Sequence, residues 1–167
     1  SPYPYNRSIN VSTSFLPDLK TKKGAKLMKL FLLMEPPTVT AQQAKVAVVG
    51  NRPMFYKPEK VKAARQMLIR HLRPFKPDTP YEGPLELHVI WRFPRGKRHK
   101  NYEWRITKPD TDNLQKMLKD CMTEVGFWID DALVVKEIAE KIWSDEPNGI
   151  WIEIKCLDKI AEVDDGT

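Results

Sequence analysis

Two pairs of aspartates share the segment "KPDTDNLQKMLKDCMTEVGFWIDDALVV", residues 108–135: Asp110 with Asp112, and Asp130 with Asp131. Lys116 follows Asp112 at i+4, about one helical turn on. Carboxylates grouped without histidine or cysteine suit a hard cation, Mg²⁺ with Mn²⁺ as a substitute. Held by Asp110, Asp112, Asp130 and Asp131 and completed by phosphate and water, such an ion supports phosphodiester hydrolysis. Lys116 beside it would neutralise charge gathering at the phosphate. Each residue also has a plainer use. Asp110 or Asp112 could N-cap a helix, worth about 1 kcal/mol. Asp130 and Asp131 could simply form a turn. Lys116 could pair with Asp112, worth about 0.3–0.5 kcal/mol.

The elements around these residues decide whether they can act together. Leu114, Met117, Leu118, Cys121, Met122 and Val125 recur at helical spacing, which predicts a helix from about Asp112 to Val125 stopped by Gly126. About 14 helical residues span roughly 21 Å, and five extended residues from Gly126 span roughly 17 Å. "GFWIDD" can therefore run back beside the helix and bring the second acidic pair to the first. Two like charges 4 Å apart repel by about 4 kcal/mol at an effective dielectric near 20, so such a cluster calls for a cation.

Elsewhere, "LMKLFLLM" (27–34) reads as a buried strand and "KVAVVGNRPMFY" as a hairpin turning at Gly50-Asn51. Val61, Ala64, Leu68 and Leu72 predict a helix from Pro58 to about Leu72. "LELHVIWRF" (85–93) alternates, with Leu85, Leu87, Val89, Trp91 and Phe93 inward and Glu86, His88 and Arg92 outward. "VVKEIAEKIW" and "GIWIEIKC" predict two strands joined by "SDEPNG". The expectation is an α/β (α+β) domain, a mixed sheet of about four to five strands with two helices packed on it. Its bounds are residues 28–157, preceded by an extension (1–27, vector-derived or native) and followed by a polar tail (158–167).

The 167 residues suit one domain, and 41 % hydrophobic content excludes a disordered chain. The net charge of +6 agrees with a polyanionic partner but does not by itself identify one. No run reaches the roughly 20 apolar residues of a membrane span, and no motif for a nucleotide cofactor is present. Cys121 and Cys156 lack metal-ligand spacing and read as buried thiols, with a reducing, cytoplasmic compartment expected.

"KPDTDNLQKMLKD" followed by "GFWIDDALVV" resembles the RusA-like family of Holliday-junction resolvases. The likeness rests on Asp110, Asp112, Asn113, Leu114 and Lys116, then Gly126, Phe127, Trp128, Asp130 and Asp131. It implies a homodimeric, metal-dependent endonuclease that cuts four-way DNA junctions by paired symmetric nicks in recombination and repair. It also implies that Asp110, Asp112, Asp131 and Lys116 are catalytic and that Asp130 holds a second acidic position. Family members place a compact arginine run directly before the first aspartate. Here the DNA-binding candidates Arg95, Lys97, Arg98, Lys100, Arg105 and Lys108 spread over a longer loop, interleaved with Tyr102 and Trp104, either of which could stack on a base. Other readings are a non-catalytic branched-DNA-binding module and a nuclease preferring forks or flaps.

Overall fold

Strand β5, Leu85–Pro94, is an interior strand of the sheet, flanked on both sides, and its second half is apolar or covered on both faces. The computed structural model describes residues 19–20, 26–40, 47–49, 52–54, 58–161 and 166. Within them lie β1 (Leu19–Lys20), β2 (Lys26–Leu32), β3 (Ala47–Val49), β4 (Arg52–Met54), α1 (Pro58–Leu72), β5, α2 (Thr111–Val125), β6 (Val134–Ser144) and β7 (Gly149–Cys156). Short 3-10 turns occupy Arg73–Phe75 and Asp131–Leu133. The main sheet has the order β1-β2-β7-β5-β6, a mixed sheet with two helices as the sequence predicts. β3 and β4 pair as a separate antiparallel ribbon, and the expected turn residues Gly50 and Asn51 lie outside the described residues. β1 and the first two residues of β2 fall within segment 1–27, so part of that segment pairs into the sheet. Among the described residues no helix is long and apolar enough to cross a membrane.

The core forms where the alternating strands meet the helical stripes. Leu85, Leu87, Val89, Trp91 and Phe93 are all buried, and so are Leu114, Met117, Leu118, Cys121 and Met122 of α2 and Leu68 and Leu72 of α1. Trp91 keeps its indole N–H satisfied by donating to Gln115 Oε1 at 2.7 Å. Burial also raises the Cys121 thiol to about 11, as expected for an inert core thiol. α2 stops at Gly126, whose φ of 105° is left-handed and whose N–H returns to Met122 O at 3.1 Å.

One alternation fails. Arg92, expected in solvent, is buried; its Nε donates to Pro147 O at 3.1 Å and its guanidinium covers the Tyr102 ring. A long cationic side chain can lie flat under an aromatic and reach a carbonyl, which no period-2 pattern encodes.

β5 and β6 run parallel, in register from Glu86↔Lys136 to Pro94↔Ser144, while the other neighbouring pairs are antiparallel. Parallel neighbours need a long crossover, usually helical. Residues 95–133 supply it, and the basic loop, α2 and both acidic pairs all lie on that one crossover.

Candidate active site

Asp110 occupies the N-cap position of α2, and its carbonyl accepts Leu114 N at 3.1 Å. Its side chain makes no capping bond; Oδ2 lies 3.1 Å from Lys108 Nζ instead. The carboxylate is thus not consumed by the helix end. Asp112 is exposed in the first turn, and its Oδ1 accepts the Asn113 N–H at 2.9 Å. Asp130 does the work of a turn residue: Oδ1 accepts Ala132 N at 2.8 Å and caps the turn Asp131–Leu133.

Lys116 reaches away from Asp112. Its ammonium lies 2.8 Å from Asp120 Oδ1 and 3.7 Å from Asp131 Oδ2. Both carboxylates raise its pKa, Asp120 foremost. The i,i+4 pair expected with Asp112 is therefore replaced by one with Asp120, and the side chain leans toward the C-terminal end of the helix.

The chain does turn back after Gly126. Trp128 Nε1 donates to Thr123 Oγ1 at 2.7 Å, and Phe127 O accepts Tyr81 N at 2.8 Å. The return brings Asp131 beside Lys116, which lies one helical turn beyond Asp112. Val134 must enter β6 opposite Leu85, which fixes Asp131 at the level of Lys116 and Asp120. Lys141 Nζ donates to Pro109 O at 2.6 Å, which ties the segment before Asp110 to β6. Among the described residues no three of His, Cys, Asp and Glu stand close enough to hold an ion. Lys116 thus links the level of the second acidic pair to that of the first, across about one helical turn.

Comparison with known proteins bears on what these acids are for. The family model described as endodeoxyribonuclease RusA matches residues 35–155. A protein of Lactococcus phage r1t named crossover junction endodeoxyribonuclease rusA is 33 % identical over 126 residues, which is 74 % of this chain and 93 % of that protein. The chain belongs to the RusA endodeoxyribonuclease family. Both acidic pairs, Lys116 and the whole basic loop lie inside the matched span.

In this RusA-family chain the strap before Asp110 is held by two cations that grip three consecutive carbonyls. Lys141 Nζ donates to Thr107 O at 2.7 Å as well as to Pro109 O. Arg105 donates to Lys108 O from Nε at 3.1 Å and from Nη2 at 2.5 Å. The Arg105 guanidinium lies over Phe93 at 4.1 Å and Trp143 at 4.4 Å, and its burial lowers its pKa. Arg105 is thus turned onto the protein itself. Arg95 pairs with Asp145 and donates to His99 O at 3.1 Å, while His99 stacks on Trp143. Lys97, Arg98, Lys100 and Lys108 are the exposed members of the set.

Lys141 left no sign in the sequence, since its acceptors are main-chain carbonyls delivered by a loop. Burial first, then the Arg105 and Lys108 charges, lower its pKa, with Asp110 opposing them. Lys141→Met should leave two carbonyls without their charged donor. Bonds of that kind are worth about 1.5–3 kcal/mol, and release of the strap should cut the cleavage rate by about 10²-fold. Lys141→Arg should restore part of it. Single-turnover cleavage rates of the two variants, alongside thermal melting, check this.

Proposed function

We propose that this chain is a homodimeric, Mg²⁺-dependent endodeoxyribonuclease that resolves four-way DNA junctions by paired symmetric nicks. The observation that carries the reading is the match to a crossover junction endodeoxyribonuclease across nearly all of that protein's length. The donor chemistry agrees: the acids offer oxygen ligands, and Mg²⁺ takes one or two carboxylates and completes its shell with substrate phosphate and water. Asp110, Asp112 and Asp131 are the assigned ligands, with Asp130 assisting and Mn²⁺ as a substitute. When bound, the ion supplies an activated water and stabilises the departing oxygen.

The protein groups have distinct tasks. Lys97, Arg98, Lys100 and Lys108 attract and hold the phosphates of a junction arm, so affinity should fall by about 0.9 log units per log unit of salt for each phosphate neutralised. Arg105 and Lys141 fix the strap that sets Asp110. Lys116 leaves Asp120 to meet charge developing at the phosphate.

A second copy offers a further source of acids to each site. Residues 134–140 of β6 have no strand on their outer side among the described residues, and Val135 and Ile138 are exposed there. An exposed edge carrying apolar side chains is a template for strand pairing. Antiparallel pairing of this edge with its copy about a two-fold axis would carry Asp131 of one chain toward the end of β6 where Lys141 sets Asp110 of the other. Each composite site would draw its two acidic pairs from different chains.

Incubation of the protein with Mg²⁺ and a synthetic mobile four-way junction, a fork, a flap and a linear duplex tests the reading. Resolution of the junction into nicked duplexes is expected, at least about 100-fold faster than cutting of the duplex, the order of a few kcal/mol of discrimination. Binding of the junction without cleavage would favour a non-catalytic module, and faster cleavage of forks or flaps would replace the assigned substrate.

A further inference from the structure

Between the basic residues and Asp110, the strap exposes two large apolar side chains, Trp104 at 54 % and Ile106 at 92 % of full accessibility. Such exposure costs the free protein solubility and is otherwise concentrated at binding surfaces. It is not a consequence of slack backbone. Tyr102 N donates to Trp143 O at 2.8 Å, Trp143 N to Glu103 O at 2.8 Å, and Arg105 N to Lys141 O at 3.0 Å, so after the left-handed turn at Tyr102 residues 103–105 lie along the edge of β6 as an extra extended segment. In an extended segment, alternate residues face alike. Arg105 turns inward onto Phe93 and Trp143, and Trp104 and Ile106 therefore turn outward together. Beyond Ile106 the chain is clamped again at Thr107, Lys108 and Pro109.

We propose that Trp104 and Ile106 form a rigid apolar wedge that packs against the base pair exposed at the branch point of junction DNA. This rests on the reading of the chain as a junction nuclease and adds how the branch is recognised. The charge around the wedge fits that occupant: Lys97, Arg98 and Lys100 precede it and Lys108 follows it, all exposed, so the apolar tip is rimmed by groups suited to phosphate. A continuous duplex offers no unstacked face, whereas a four-way junction interrupts stacking at its centre. Apolar wedges at interrupted or kinked base steps are an established mode of DNA recognition, and an indole stacks on any base. The four residues from Ile106 to Asp110 reach at most about 13 Å, so cleavage should fall within about four base steps of the branch, at 3.4 Å per step.

The test uses a junction with 2-aminopurine at the branch point, without divalent metal so that no strand is cut. Wild-type protein should raise the probe's fluorescence. Trp104→Ala/Ile106→Ser should lose most of that rise and about tenfold in junction affinity, while linear-duplex affinity stays within about twofold, since the phosphate contacts remain. Ile106→Leu should behave as wild type. The wedge is overturned if the double variant raises the fluorescence as wild type does, if junction and duplex affinities fall equally, or if light scattering shows an altered oligomeric state, which would assign the pair to packing between copies. A wild type that neither prefers nor cleaves junctions overturns the parent reading and the wedge together, an outcome distinct from a working resolvase whose variants match it.

Discussion

Asp112→Asn should abolish cleavage and leave junction binding intact. The substitution is nearly isosteric, and the one local bond that Asp112 makes, Oδ1 accepting from Asn113 N, can be kept by the amide oxygen. The fold has little else at stake, since Asp112 is exposed. On the proposed reading, what is lost is one anionic oxygen ligand and its share of electrostatic stabilisation, for which a rate loss of at least about 10³-fold is expected. Junction affinity should hold, or tighten by up to about fivefold, because a negative charge facing phosphate is worth about 1 kcal/mol at close range in water. Gel shifts without metal and single-turnover cleavage with Mg²⁺ read the two effects separately. Cleavage within tenfold of wild type would remove Asp112 from the site. Asp130→Ala is the informative contrast. Its carboxylate already caps the turn Asp131–Leu133, and its loss should cost about 1 kcal/mol of stability with a much smaller effect on rate.

Periodic burial made the elements legible in sequence. The stripe of Leu68 and Leu72 marked α1, that of Leu114 to Met122 marked α2, and Gly126 ended α2 through a backbone conformation that glycine adopts readily. Strand neighbours were not legible. β6 and β7 are joined by a short turn, yet each pairs with β5 and not with the other, because β5 is the strand that can be covered on both faces. The level at which Asp131 returns beside α2 is set by the pairing of Val134 with Leu85, and pairing register is a property of two segments about fifty residues apart. Side chains with main-chain partners were invisible for a related reason. Lys141 looked like an ordinary strand lysine, and Arg105 like one more member of a basic loop, until their carbonyl and aromatic partners were in place.

A mixing experiment decides whether each site takes its acids from one chain or from two. In the proposed dimer, Asp112→Asn and Asp131→Asn homodimers should each be inactive, at or below about 10⁻³ of the wild-type rate. If each site lies within one chain, a mixed dimer holds one defect per site and remains inactive. If each site takes Asp110 and Asp112 from one chain and Asp131 from the other, a mixed dimer collects both defects in one site and leaves the second intact. Random assortment makes half of the dimers mixed, and half of their sites are whole, so nicking should recover to about a quarter of wild type. The product should also change. A dimer with one working site nicks the junction on one side only, so nicked junctions should accumulate in place of resolved duplexes. Co-refolding or co-expression of differently tagged chains, followed by a denaturing and a native gel of the same reaction, measures both effects. No recovery in mixed dimers of confirmed composition would return the whole site to a single chain.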